Sequence, residues 1–227
     1  MAVTVDLPSV TTATGTVSTT LTFAVTCAGT NRCLIVGVGS LGSIATTATC
    51  TYAGVSMTLV DAKSQTSGNQ TVTFLFSLVV PATGTNNVIV TFSSSRDYFA
   101  ACAVNFNGVD QTTPVGTDAT AYDNGGVAHL AATVTSASSG MCIDSYVVYD
   151  NTLTATADGG QTERGNVASG SAGYGLRYGM STAPGAASVA MGWTKSATTW
   201  PQAIIVAPIN AISIYPTGGF NFGCGTT

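Results

Sequence analysis

Runs of β-branched and aromatic residues, each stopped by Gly, Pro, Asn or Asp, recur along nearly the whole chain. No stretch carries the 3.6-residue apolar period of an amphipathic helix. The runs are Val17 to Thr26, Cys33 to Val38, Thr71 to Val80, Asn87 to Phe92 and Tyr98 to Phe106. They continue as Ala128 to Thr135, Met141 to Tyr149, Tyr174 to Met180, Ala187 to Thr194 and Ala203 to Pro208. Asp123-Asn124-Gly125-Gly126 and Asp158-Gly159-Gly160 supply turn chemistry, because Gly and Asn accept positive φ. These signals predict an all-β fold, an antiparallel sandwich or barrel with strands at short intervals.

The runs also repeat. FLFSLVVPATGTNNVIVTFSSSRDYFAACAVNFN and LRYGMSTAPGAASVAMGWTKSATTWPQAIIVAPIN each hold a strand, a Pro-containing turn and a strand ending in an aromatic, Phe92 or Trp193. A Ser/Thr-rich loop and a strongly apolar strand follow in both. Upstream, CLIVGVGS and MCIDSYVVY correspond at Cys33 and Cys142. A period of about 100 residues is too long for a solenoid. It predicts two roughly four-stranded halves of a jelly-roll-like sandwich. The expected organisation is an extended N-terminal arm over 1–14, a sandwich over 15–208, and a Gly/aromatic C-terminal arm over 209–227. Tyr215, Phe220 and Phe222 in that last segment are candidates for docking on a neighbour.

Charge narrows the function. Six Lys and Arg and ten Asp and Glu make 7% of 227 residues, against about 25% in an average soluble domain. Acids, bases and ion clamps are therefore scarce, and the surface must be mostly Thr, Ser, Asn, Gly and backbone. Little charge opposes association of such a surface, which suits permanent residence in an assembly. The basic residues Arg32, Lys63, Arg96, Arg164, Arg177 and Lys195 are scattered and the pI is near 4.5, so no nucleic-acid partner is expected. The start, MAVTVDLPSV, lacks a basic n-region and an apolar h-region, so no targeting segment is expected. Phe74 to Val80 and Ala203 to Ile214 are too short to cross a membrane as helices, and no membrane partner is expected.

Candidate chemistry is thin. The cysteines are Cys27, Cys33, Cys50, Cys102, Cys142 and Cys224, and none forms C-x-x-C. They read as reduced thiols, with Cys27 and Cys33, flanking AGTNR, the best candidates for a bridge. Gly37-Val38-Gly39-Ser40-Leu41-Gly42 matches G-x-G-x-x-G, with Asp61 downstream. However, SIATTATCTYAG follows it where a phosphate-binding helix would be needed, so no cofactor is expected. His129, the only His, reads as a strand-edge residue, and no G-x-S-x-G elbow is present. Asp144 and Asp150 bracket one strand and Asp158 and Glu163 flank a turn, so neither pair reads as convergent acids. Asp144 is expected to face outward. Asp110, Asp118, Asp123 and Asn124 are the best calcium candidates but lack EF-hand spacing, and no metal is expected. For a sugar, which stacks on aromatics and bonds amides and hydroxyls, the chosen contacts are Trp200, Tyr174 and Tyr178. Trp193, Tyr122 and Tyr149 stand behind them; Trp200, after the polar loop KSATT and before Pro201, is a candidate for an exposed loop tip, although such an aromatic more often closes the end of a sandwich core.

YAGVSMTLV (52–60), VVPATGTNNVIVTF (79–92), FNGVDQTTPVGT (106–117), GGQTERGN (159–166) and STAPGAASVAMGW (181–193) together resemble a jelly-roll-like β-sandwich module. This module occurs in tailed-phage virion proteins and in large surface proteins of environmental bacteria. The resemblance covers about residues 33–208 and brings no catalytic motif. It implies a non-enzymatic virion protein, made in the host cytoplasm, of head decoration (cement) or fibre type. Its implied partners are copies of itself, a trimer above all, and the major capsid or another virion protein. The alternative it leaves is a lectin-like adhesion module that binds a surface glycan.

Overall fold

The computed structural model describes residues 1–42, 46–65, 71–171 and 173–213. Its strands are β1 (Thr4–Cys27), β2 (Cys33–Leu41), β3 (Ala48–Tyr52), β4 (Val55–Ser56), β5 (Thr58–Ser64), β6 (Thr71–Val79), β7 (Gly84–Asn107) and β8 (Ala119–Asp123). They continue with β9 (His129–Val134), β10 (Met141–Tyr149), β11 (Ala155–Ala157), β12 (Thr162–Ser171), β13 (Tyr174–Pro184), β14 (Val189–Lys195) and β15 (Gln202–Ile209). All strand pairings are antiparallel.

The second half is a sandwich of a five-stranded sheet, β12-β13-β10-β15-β8, and a three-stranded sheet, β11-β14-β9. The first half repeats it. Its inner segments run β5-β6-β2-β7-β1, and its outer segments pair β3, the start of β7 and the end of β1. β2 lies between β6 and the end of β7, as β10 lies between β13 and β15. Numbered within either half, the order is 5-6-3-8-1 over 4-7-2, which is jelly-roll connectivity. Each half therefore holds eight equivalent strand segments and not the four expected, with the two-residue β4 an addition beside β3 in the first half. The repeat read from Cys33 and Cys142 falls on these two equivalent central strands but is out of register, since Cys33 faces the central core and Cys142 the outer core of the second half.

The halves differ at one corner. In the second, separate strands β8 and β9, and β14 and β15, serve the two sheets. In the first, β1 and β7 run unbroken through both. They bend together where Ser18 pairs with Arg96 and Thr20 with Thr91, so that Thr19 faces four residues of β7. The bulge turns the fully buried Arg96 guanidinium inward, where it donates to Thr46 Oγ1 (2.6 Å) and Ser40 Oγ (3.1 Å). Residues 4–14, expected as an arm, are extended but hydrogen-bonded along β7, from Thr4 opposite Asn107 to Thr14 opposite Ala100. Most of the C-terminal segment, including Tyr215, Phe220 and Phe222, lies outside the described residues.

The two jelly rolls stack through their inner sheets, giving four layers and three cores. Cys33, Ile35, Val104, Phe106, Ile143, Val147, Tyr178 and Ile205 fill the central core. Leu34, Val36, Phe74, Phe76, Val88 and Phe92 fill the outer core of the first half, and Tyr146, Val148, Met191, Trp193 and Ile204 that of the second. β2 and β15 are buried at every residue and β10 at every residue but Met141, hence their nearly unbroken apolar sequences.

Glycine sets the spacing of the central layers. Gly37 and Gly39 of β2 face Tyr178 across the core; a Cβ on Gly37 would fall 2.1 Å from Tyr178 Oη and 2.4 Å from Met180 Cε. The G-x-G match is thus a slot for an aromatic ring. Gly37→Ala is predicted to destabilise the protein by about 3 kcal/mol through overpacking. Adding Tyr178→Phe should recover part of the loss, read by urea unfolding of the single and double variants. Full additivity would contradict the slot.

Candidate functional site

The sugar-contact residues meet different fates. Tyr178 is fully buried, with its hydroxyl 2.9 Å from Ser145 Oγ, and cannot touch a ligand. Trp200 is half-buried and tilted onto Tyr149 at 4.8 Å between ring centroids, packed against both the central and the second outer core. It closes the end of the sandwich and is not an exposed loop tip. Lys195, itself buried, donates to the Trp200 carbonyl and so ties this end down. Tyr174 remains accessible, 45% exposed. Its hydroxyl donates to Asp97 Oδ2 at 2.7 Å, which raises the phenol to about 12. It meets Tyr98 (5.4 Å) and Tyr149 (6.1 Å) edge to face, so the expected sites give one exposed ring on a packed aromatic end. Trp193 is fully buried and stacked on Tyr146, while Tyr122 is exposed beneath Lys63, 5.0 Å from its ring centroid.

Asp144, expected to face outward, is fully buried in the outer core of the second half. Even-numbered residues of β10 face this core, and Asp144 shares it with Tyr146 and Trp193. Its carboxylate accepts from Ser181 N (2.6 Å), Ser181 Oγ (2.7 Å) and Trp193 Nε1 (2.9 Å). Gln161 extends the network by donating to Ser181 Oγ (3.1 Å) and the Gly192 carbonyl (3.0 Å) and accepting from Gly192 N (2.8 Å). Burial outweighs the three donated bonds and pushes the carboxyl up to about 7. The network welds β10, β13 and β14 together and is closed to solvent at the carboxylate.

The other candidate acids serve their own loops. Asp150, at φ 80°, accepts from Thr152 N and Oγ1. Glu163 accepts from Ala157 N and Asn166 Nδ2, while Asp158 pairs with His129 at 2.8 Å on the surface. Of the calcium candidates, Asp110 caps Thr112 and Thr113, which lowers its pKa, and Asp123 accepts from Gly125 N and Val127 N. Asp118 lies instead beside Asp61; burial, then this neighbour, raises its pKa. Among the described residues no three His, Cys, Asp or Glu gather as a metal site. Cys27 and Cys33 are free, with Cys27 in the first outer core and Cys33 in the central one, so the candidate bridge is not formed. Cys50, Cys102 and Cys142 are also free and buried, and burial pushes Cys33, Cys50 and Cys102 up to about 12.

The distinctive surfaces are the two outer faces of the stack. On the first, Thr20, Thr91 and Thr49 align across three strands, Thr22, Ile89 and Thr51 form the next row, and Thr26 bonds Thr85 at 2.7 Å. No charged residue occurs in β3, in β7 before Ser93 or in β1 after Asp6. On the second face, Thr133 pairs with Ala190, Ala131 with Gly192, and Thr194 lies between His129 and Thr156. β1 pairs only with β7 among the described residues; its first part lies against β12, where Ser169 Oγ donates to the Gly15 carbonyl, and its outer stretch adds an edge to the first face. Sequence reading missed this arrangement because Thr alternation marks a strand without showing which strands share a face.

No protein-family model matches the chain, and no curated protein matches it.

The buried carboxylate makes stability depend on pH. Asp144 holds its proton in the folded state up to about pH 7, whereas its ordinary value is 3.8. Between these values the folded state binds more protons, so stability falls as pH rises and levels off above 7. Asp144→Asn cannot ionise. Unfolding of wild type and variant in urea from pH 4 to 8 should show the wild type losing up to about 4 kcal/mol relative to D144N. Parallel curves would contradict the assignment.

Proposed function

We propose that the protein is a non-enzymatic structural subunit of a phage particle, a head decoration (cement) protein whose copies cover one another's outer faces. The observation that carries this reading is the Thr-rich outer face of the first half, uncharged across β3, the start of β7 and the end of β1, together with the uncharged edge of β1 after Thr20. Interface cores are depleted of charge because desolvating an ion is costly, whereas hydroxyls and methyls exchange water for a partner cheaply. Soluble proteins usually guard edge strands with Lys, Pro or bulges. Here only Pro8 and the two register shifts at 6/11 and 18/20 do so, and the stretch after Thr20 is bare. A neighbouring copy is the natural cover. The resemblance of the turn and strand-end segments to virion sandwich modules points to a shell as the setting, and a trimer suits its threefold positions.

Light scattering after gel filtration is predicted to give a discrete trimer. The double variant Thr22→Lys, Ala24→Lys, which places charge on exposed β1 positions, should give a monomer with an unchanged circular dichroism spectrum and no binding to purified capsids. A wild-type monomer that also fails to bind capsids would contradict the reading.

A further inference from the structure

Asparagine precedes glycine at two places in this chain, Asn107 before Gly108 and Asn124 before Gly125. Such a pair carries a latent reaction of its own. The glycine nitrogen attacks the asparagine side-chain carbonyl, since no Cβ on the glycine hinders the approach. The N–Cγ bond forms, the Cγ–Nδ2 bond breaks, and ammonia leaves with the proton of the glycine N–H. Water then opens the succinimide at either carbonyl. An aspartyl or isoaspartyl residue results, ionised at neutral pH where the amide was not. The reaction needs a side chain able to swing onto the next nitrogen, a peptide able to rotate, and water.

The fold withholds these from the first pair. Asn107 ends β7 and pairs with Thr4 of β1. Gly108 N donates to the Thr30 carbonyl (3.1 Å) and Val109 N to the Asn31 carbonyl (2.9 Å), so the backbone is held on both sides of the glycine. The Asn107 amide packs on Gly29, where a Cβ would fall 2.2 Å from its Oδ1, and that oxygen is buried. The second pair lies in the turn between β8 and β9, where Asn124, Gly125 and Gly126 are all exposed. Gly125 N donates to a side chain, Asp123 Oδ2, at 3.1 Å. This acceptor is itself only half-buried and can swing aside without breaking a strand pairing. Glycine is required at 125, with φ 101° and a Cβ position 2.5 Å from the Thr199 carbonyl oxygen. The corresponding corner of the first half is the bulge at Ser18 and Thr20 inside the unbroken β1, and it contains no Asn-Gly.

We propose that Asn124 is a self-modification site, converting to an aspartyl or isoaspartyl residue in the folded protein while Asn107 stays intact. The new carboxylate joins Asp123, whose Oδ2 is 4.0 Å from the Nζ of the buried Lys195. The isoaspartyl form also adds a backbone atom to the β8–β9 turn. A chain so poor in charge thereby gains charge with age, at one corner of one half.

Peptide mapping by mass spectrometry of full-length protein, held for weeks at physiological pH and temperature, tests this. The peptide containing Asn124 is expected to convert at least about tenfold faster than the peptide containing Asn107. Unfolding in guanidinium chloride removes the structural difference, and there the two rates should lie within about threefold of each other. Asn124→Ser keeps Gly125 in place, and a thermal melt establishes that the variant folds. On isoelectric focusing the ageing wild type should develop an acidic band that N124S lacks. No conversion of Asn124, equal or faster conversion of Asn107 in the folded protein, a rate difference undiminished by unfolding, or an acidic band of wild-type strength in N124S would overturn the proposal.

Discussion

Everything in this molecule follows from burying β2 and β10 on both faces. Each lies at the middle of its inner sheet, with an outer core on one side and the common central core on the other. A strand in that position needs apolar or very small residues at every place, whichever way they point. An ordinary two-layer sandwich needs them only at alternate places. With 45% hydrophobic residues the chain can supply four layers, and little charge remains for the rest. The charge poverty and the fold are two views of one constraint.

Close stacking then dictates the exceptions. Aromatic rings between layers need a partner without a side chain, so Tyr178 lies over Gly37 and Gly39, and Trp193 lies 2.7 Å from where a Cβ of Gly179 would be. Polar atoms at these depths must find one another. Thr73 Oγ1 meets Ser145 Oγ at 2.7 Å between the inner sheets, and Ser145 meets the Tyr178 hydroxyl. Asp144 is the extreme case, a carboxyl in a core, held by three donors. These contacts fix the register of one layer on the next. The seam between β5 and β8, built from shorter strands than the seam between β12 and β1, is where the repeat departs from itself.

The central strands of the inner sheets were legible in the sequence, and so were the outer-sheet stretches Val17 to Thr26, Asn87 to Phe92, Ala128 to Thr135 and Ala187 to Thr194. Met141–Tyr149 was read to the residue, and Cys33, Thr71 and Tyr174 were placed as strand starts, because doubly buried strands are continuous apolar runs. The strands not read, β3, β4, β5, β8, β11 and β12, lie at or next to sheet edges, where sequences such as TERGNVASGS carry too little apolar pattern to stand out from loops. The repeat was visible from its central strands. That β1 and β7 each serve two sheets was not, since a bulge leaves no composition signal. The candidate sites fared worst. A Tyr in an apolar strand reads the same whether it faces a core or a ligand, and the inward turn of Asp144 depends on Ser181 and Trp193, distant in sequence.

The central claim is that the middle core binds two jelly rolls into one cooperative unit. The free cysteines report on it directly: Cys27 and Cys50 lie in the first outer core, Cys33 and Cys102 in the central core, and Cys142 in the second outer core. Pulsed thiol labelling through a urea titration, read by mass spectrometry, follows each core separately. The account predicts that all five thiols become reactive in a single transition with one midpoint. If Cys27 and Cys50 became reactive at a different urea concentration from Cys142, the halves would be independent sandwiches and the account would be wrong.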